Sequence, residues 1–579
     1  MQSGDGKKTS SIIQNLTRKR SFRYALIWQG VLIGAATGLV ISGFRLLLIY
    51  ADSCRNKLVE FANRGFVQAL LAALIMLVLA ILVTFLLRKE PEATGSGIPQ
   101  VEAELMGRKD MNWLRVLVTK ILGCALSIGG GLALGREGPS IQIGAMVGKG
   151  FARSRHRVLT EERYLMSCGA GAGLSAAFGA PLAGTIFCLE ELYHNFASEV
   201  LLSTMAAATT ADFVTAYIIG LDPVFGFQIN HSLPLRHYWM AVLLGVILGL
   251  FGCLYNRMIA RMQDIFDRIA GWANGLVSRV MSGIGTSSLG LNGRGDGREN
   301  SRGLNGRQLD EKTGTMKHPW DVGTFAKMLV GMTICYVCFF VYPVTLGSGN
   351  NLVGEIAQGQ FTLRALAILL VVKFVFSTAS FGTTAPGGIF LPLLVLGALT
   401  GGVFSEAMEA LTGLDGKYVE AFVVLAMAGY FAAIVHAPVT GVVLITEMTG
   451  DFRTLLPMVL VSLIAYVVSE RLGTEPIYTQ LMKRASGSGD GARYRVASQR
   501  KTIIDDRIVP GCDMEGMRVM DLGLPIGALI ISIIRDEEEF IPDGHTILRG
   551  NDILEILLRE EDIADVEKLI QTRGKIVKL

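Results

Sequence analysis

The sequence predicts an all-α membrane protein made of two repeated halves of broken helices, with a small α+β domain after them. Three features predict it. The first is charge. Only 18% of the 579 residues are charged and 51% are hydrophobic, against roughly 25% charged in an average soluble protein. The shortage is local: 30 of the last 88 residues are charged, and the other 491 hold 74. The second feature is a series of apolar stretches interrupted by Gly and Pro. The third is an internal repeat at a nearly constant offset.

The elements follow in chain order. Residues 1–21 are polar and basic (Lys7, Lys8, Arg18, Lys19, Arg20). The apolar stretch at about 24–50 predicts a first membrane helix, with a cytoplasmic N-terminus because positive charge stays inside. It is too long for a signal-peptide core. Phe66 to Leu87 holds no charge and ends in Arg88 and Lys89, long enough for the ~20 residues a span needs. Further stretches run about 112–134, 163–189, 198–219, 237–256, 325–345, 363–380, 390–404, 420–446 and 454–469. Several are too short to span or are broken. Broken helices persist in a membrane where protein buries them or where they line a polar cavity. Breaks at matching positions of two halves point to a transport site.

Residues 283–318 hold eight glycines between 283 and 306, together with Arg294, Arg298, Arg302 and Arg307. They predict a flexible cytoplasmic linker between halves at 22–282 and 319–486. A second linker is expected at 487–499. Other signals are weak. The net charge of +4 suggests no nucleic-acid partner. The eight cysteines form no disulfide framework. Cys335 and Cys338 lie in an apolar run and read as two small residues on one helix face. No histidines have metal-ligand spacing, so neither a metal nor a cofactor is expected.

The repeat is specific. Gly135-Arg136-Glu137-Gly138-Pro139 falls on Gly388-Ile389-Phe390-Leu391-Pro392 at an offset of 253. Gly144-Ala145 then falls on Gly397-Ala398, Gly148 on Gly401 and Phe151 on Phe404. Ala180-Pro181, Gly184 and Glu190 fall on Ala437-Pro438, Gly441 and Glu447 at an offset of 257. Each half thus has a Gly-rich turn that opens an apolar helix, one near Gly138 and one near Phe390. Helix N-termini carry free N–H groups and about half a positive charge. Two of them meeting inside a membrane would hold an anion without a full cation.

Gly95-Ser96-Gly97-Ile98-Pro99, the Gly135–Pro139 motif and the Gly388–Pro392 motif resemble, in order, the three signature motifs of the CLC family of chloride channels and chloride/proton antiporters. The resemblance covers about residues 22–486. It implies an inverted-repeat helical fold, a homodimer in the lipid bilayer, and one anion pathway per subunit. Ser96 matches the serine whose hydroxyl coordinates chloride. An uncharged donor holds an anion loosely enough to release it. Tyr478 matches the tyrosine whose phenol donates to the same ion, and the amides of Ile389 and Phe390 complete that site. Glu137 matches the gating glutamate, an anion mimic that also carries a proton. Glu191 matches the inner glutamate that passes protons to Glu137. Glu190 is the residue that aligns with Glu447, which assigns Glu190 to structure and Glu191 to chemistry. Glu102 and Lys120 read as a buried structural charge and an electrostatic support.

The resemblance also orders the functions. A serine at Ser96 favours chloride over fluoride and nitrate. Channels of the family usually lack the inner acid, so Glu137 with Glu191 implies chloride/proton antiport, with a gated chloride channel of the same fold as the alternative. A membrane-embedded enzyme would need an activated nucleophile, and nothing at recognisable spacing near Ser96 supplies one.

Residues 500–579 read as the α+β domain. Ala528–Ile534 and Asp552–Leu558 are expected strands, Asp536–Glu539 a turn, Phe540–Gly544 and Thr546–Gly550 a short strand and a turn, and Glu560–Leu569 a closing helix. The segment resembles the C-terminal ligand-binding half of RCK regulators, with Val509-Pro510-Gly511 near its start. It implies control by a small cytoplasmic ligand or through dimer contacts. The tail type suggests a prokaryotic plasma membrane with both termini cytoplasmic.

Overall fold

The structure is a computed structural model. It describes residues 5–285, 322–485 and 501–559, with breaks at 156, 158, 194–197, 221–223, 226, 228, 414–415, 526 and 536–537, and also Val566. The expected linkers lie outside these residues, apart from 283–285, which end a helix. The chain forms two compact units, Met1–Gln480 and Leu481–Leu579.

The first half runs α1 (Asp5–Ala62), α2 (Phe66–Lys89), α3 (Ile98–Leu105), α4 (Trp113–Gly129), α5 (Glu137–Ser154), α6 (Leu159–Phe178), α7 (Pro181–Phe187) and α8 (Ser198–Ile219). The second runs α9 (Tyr238–Gly285), α10 (Val322–Val341), α11 (Asn350–Ala357), α12 (Leu363–Gly382), α13 (Phe390–Thr412), α14 (Val419–Val435), α15 (Pro438–Thr449) and α16 (Leu455–Arg471), and α17 (Ile477–Ala485) follows. The halves correspond helix for helix. α1 packs on α8 as α9 packs on α16, α5 on α6 as α13 on α14, and α6 on α8 as α14 on α16.

Eight of the described helices are long and apolar enough to cross a membrane. α2 shows why: it carries no charge before Arg88 and turns Phe66, Leu70 and Leu74 outward, so its surface suits lipid. α13 from Phe390 to Ser405 and α14 from Ala421 to Val435 carry no charge and are almost wholly buried, as helices at a protein's centre must be. Glycine lets such helices touch by their backbones. A Cβ on Gly144 of α5 would overlap the Gly169 carbonyl of α6, and one on Gly169 the Gly144 carbonyl.

Several apolar stretches fold differently from their sequence outline. The stretch at 24–50 sits within α1, which continues to Ala62 with Arg55 and Asp52 paired one turn apart (2.6 Å). The stretch at 237–256 is likewise only the start of α9. The stretch at 163–189 is two helices. α6 ends at Phe178, Gly179 takes φ 66°, and Pro181 restarts the chain as α7. The stretch at 420–446 breaks at the equivalent place, with His436 at φ 66° and Pro438 opening α15. Proline fits the first helical position because its missing N–H had no partner there.

The second unit contains a four-stranded sheet in the order β1 (Lys501–Arg507), β4 (Ile553–Arg559), β2 (Leu529–Arg535), β3 (Glu538–Phe540). The three pairings are antiparallel. One face packs Ile508, Ile530, Ile533, Leu554, Ile556 and Leu558 into a small core. The expected strands at 528–534 and 552–558 are β2 and β4. β1 was not foreseen, because Lys501, Asp505, Asp506 and Arg507 mask its short apolar centre. Glu538 and Glu539 belong to β3 rather than to a turn: Glu538 pairs with Arg535, so the hairpin needs only two residues. Phe540 therefore ends that strand instead of opening one. Of the expected closing helix only Val566 is among the described residues; it is helical and buried in the same core.

Candidate anion site

Three helices, among the described residues, begin with their first three residues all buried: α3, α5 and α13. None has a side-chain cap. In α5 and α13 proline is the third residue, which the first turn tolerates because it needs no N–H there. The first helical bonds are Ser140 N to Arg136 O (2.9 Å) and Leu393 N to Ile389 O (3.0 Å). The amides just before them, including those of Ile389 and Phe390, have no intrahelical acceptor. Free N–H groups thus gather in a dry interior.

Gly135 and Gly388 bring α5 and α13 together. They form an isolated antiparallel bridge, with Gly135 N donating to Gly388 O at 2.6 Å and Gly388 N to Gly135 O at 2.7 Å. Two like-signed helix ends that converge repel each other unless negative charge lies between them. Glu137 provides it. Its carboxylate is fully buried and folds against Gly135, where a Cβ would overlap Oε2 and sit 3.1 Å from Leu391 N. Neither oxygen makes a hydrogen bond of normal geometry. The groups that face it are the amides of Arg136, Glu137 and Leu391 and the Arg136 guanidinium, with Nε at 3.9 Å.

Ser96 reaches the same place from α3. Gly95 at φ 59° and Gly97 at φ 93° take left-handed conformations on either side of it. The loop is held by Lys120 of α4, buried, whose Nζ donates to Ala93 O (3.1 Å) and Gly95 O (2.7 Å). Gly95 N donates to Thr384 O in the other half (3.1 Å). Ile98 and Pro99 then open α3. The Ser96 hydroxyl lies where a Cβ on Gly138 would be, and it has no hydrogen-bond partner among the described residues. The Tyr478 hydroxyl, at the start of α17, is also buried without a partner. Its ring meets Phe187 edge-on at 6.5 Å, and Phe187 meets Phe390 at 6.5 Å. Two hydroxyls without partners among the described residues, and uncapped amides near one carboxylate, form a set of donors suited to an anion. No cation is needed beyond Arg136.

Glu191 stands apart. It lies in a π-helical turn, Cys188–Leu192, that continues α7, and its side chain is buried. It is within electrostatic reach of Glu102, and Tyr478 is within reach of both Glu191 and Glu137. The neighbouring Glu190 points elsewhere. Its Oε2 accepts from Thr440 N (2.8 Å) and Thr440 Oγ1 (2.6 Å) and so caps α15. Glu447 does the same for α7, accepting from Leu182 N (3.0 Å) and Ala183 N (2.7 Å).

Comparison with known proteins finds relatives over most of the chain. A family model described as "Voltage gated chloride channel" matches residues 79–470. The chain belongs to this family. Proteins named H(+)/Cl(-) exchange transporter ClcA from Salmonella typhi and Salmonella arizonae are each 31% identical to it, covering 83% of this chain and 92% of theirs. A solved structure of a slow cyanobacterial Cl-/H+ antiporter is 27% identical, with a TM-score of 0.67 over 79% of this chain and 97% of its own. A CLC-type fluoride/proton antiporter, 21% identical with a TM-score of 0.58 over 77% of this chain and 96% of its own, shares the fold. A TrkA-C domain model matches residues 503–571. In this CLC body the membrane is crossed many times, and the chain is an integral membrane protein.

The sequence alone missed part of the duplication. Gly347-Ser348-Gly349 repeats Gly95-Ser96-Gly97, and Lys373, buried, binds Thr345 O (2.7 Å) and Gly347 O (2.9 Å) as Lys120 binds its loop. The signal was present: Lys373 lies 253 residues after Lys120. The reciprocal carboxylate caps left no such sign, because the alignment equates Glu190 with Glu447 but does not show what either touches.

Proposed function

We propose that the protein exchanges chloride for protons through one pathway per subunit. The observation that carries this is Glu137. A buried carboxylate lies among uncapped helix starts where an anion would be held. Protonation would remove its charge and its reason to stay there, and an incoming chloride would compete for the same amides. One side chain then links anion and proton movement. Ser96 and Tyr478 supply the hydroxyls, and Ile389 and Phe390 the amides, of a chloride site beside it. Glu191, buried in its π turn, receives protons from the opposite side and passes them on. The curated relatives' names and the cyanobacterial antiporter support the reading.

A gated chloride channel is the second reading. The buried inner acid Glu191 argues for antiport, since a passive pore has no use for it. Purified protein in liposomes decides. Under antiport, a chloride gradient drives protons uphill, and the dissipation of a proton gradient moves chloride. Chloride flux with no uphill proton movement overturns antiport in favour of the channel.

The remaining assignments are proposals of the same standing. Residues 22–486 are the transporting body and 500–579 a regulatory domain that binds a small cytoplasmic ligand. Two subunits form a homodimer. The basic segment at 1–21 supports a cytoplasmic N-terminus, and the tail type a prokaryotic inner membrane with the C-terminus also cytoplasmic.

A further inference from the structure

Three carboxylates, those of Glu104, Asp110 and Glu162, offer oxygens within 4.8 Å of one another. They come from the end of α3, the loop after it, and the start of α6. Two cations from α5 lie among them. Lys149 is fully buried; its ammonium bonds Glu104, and donates to Asp110 Oδ1 and Met111 O, each at 2.6 Å. Arg153 pairs with Asp110 and with Glu162, Nε to Oε2 at 3.4 Å. The three donors of the ammonium are all used. The cluster is a knot of ion pairs, with cations of the protein itself where a metal would sit.

A buried ammonium is costly unless its donors are bonded; Lys120 and Lys373 bond carbonyls, whereas Lys149 is set among carboxylates, a placement that needs a reason. The second half has no counterpart of this one. By the repeat, Lys149 corresponds to Gly402 and Glu104 to Ile356. There a Cβ on Gly402 would lie 2.8 Å from Ile356 Cγ2, so the same helix contact is made by plain apolar packing. The charged version occurs in the half that carries Ser96. α3 has eight residues, about 12 Å of rise, so movement at its far end is felt at its near end. The chain before α3 is tied to the same neighbourhood: Lys109, next in sequence to Asp110, pairs with Glu92 at 2.8 Å, and Gln142 of α5 donates to Glu92 O at 2.9 Å.

We propose that Lys149 is a positioning residue for the anion site: by holding Glu104 and Asp110 to α5, it keeps the Ser96 hydroxyl against the start of α5. This rests on the reading of Ser96 as a chloride ligand. The test is a double-mutant cycle on the full-length protein, with chloride binding measured by calorimetry. Ser96→Ala should weaken chloride binding roughly tenfold, the loss of one hydrogen bond to a charged group. Lys149→Met should weaken it several-fold, and adding it to Ser96→Ala should change nothing further, because both act on one bond. Lys149→Met/Glu104→Leu removes both buried charges and replaces Lys149→Met in the cycle where the single variant does not fold. Wild-type affinity in the folded Lys149 variant, or a loss that adds in full to that of Ser96→Ala, overturns the proposal. Unchanged binding in Ser96→Ala itself overturns the reading of Ser96 instead, and the proposal with it.

Discussion

Gly135 and Gly388 donate to each other, with N···O distances of 2.6 and 2.7 Å. They occupy the same position in the two halves, 253 residues apart. A position that pairs reciprocally with its own repeat mate lies on the two-fold axis relating the halves. The surrounding contacts obey the same symmetry. A Cβ on Gly135 would lie 3.1 Å from Leu391 N, and one on Gly388 would lie 3.1 Å from Gly138 N. The axis therefore passes between the starts of α5 and α13. Glu137, which has Phe390 as its counterpart, breaks the symmetry by placing one acid at a junction of two positive helix ends.

Glu137→Gln keeps the side chain's size and removes the charge that protons act on. It is expected to pass chloride without moving protons. Glu191→Gln leaves Glu137 in place and is expected to move chloride with proton coupling greatly reduced. Parallel chloride and proton flux in liposomes checks both, and full coupling in either variant would contradict the assigned role.

Gly138→Ala tests the approach of α3 to α5. The new methyl would overlap the Ser96 hydroxyl and come within 2.8 Å of its carbonyl oxygen. Overpacking of this kind costs about 1–3 kcal/mol, and displacement of Ser96 should weaken chloride binding roughly tenfold. Calorimetry with chloride reads the affinity, and thermal unfolding in detergent reads the stability.

Glu447→Ala strips the cap from α7 and leaves the amides of Leu182 and Ala183 without their acceptor. The expected loss is about 1–2 kcal/mol, seen as a lower unfolding temperature. Glu447→Gln retains one acceptor oxygen and should lose less. Equal stability of Glu447→Ala and the parent would show that the cap contributes nothing.

In the second unit, Arg535 Nε and Nη2 donate to the buried Asp552 carboxylate at 2.8 and 2.7 Å, and Arg549 N adds a third bond at 2.8 Å. Burial opposes the charge of Asp552, but these bonds outweigh it and hold its carboxyl below the usual carboxylate range. A folded-state value below the unfolded one stabilises the domain above the unfolded value, about 3.9, and that stability is lost as pH falls through the folded value. Asp552→Asn should therefore lose roughly 1–3 kcal/mol at neutral pH and converge on the parent in acid. Hydrogen exchange of the β2 and β4 amides, compared between the two proteins at each pH, reads the difference.

The sequence by itself determined the membrane body, its duplication, the charged tail and the motif glycines. These depend on composition, apolar run length and local backbone needs, which neighbouring residues set. It also named Glu137 and Ser96, through motifs a few residues long. It placed α13 at its observed start and α5 one residue late. Where helices break inside an apolar run was only partly legible, since Gly179 and Pro181 signal a stop but His436 does not. Tertiary structure alone decided which partners meet. Glu190 bonds Thr440, Lys149 bonds Glu104, and Gly135 bonds Gly388, over separations from 45 to 253 residues. A carboxylate beside a helix start can cap it, bind a proton or hold a lysine with the same atoms, and no local pattern distinguishes these. Packing does, because in a dry interior each polar group's role is set by the one partner it can reach.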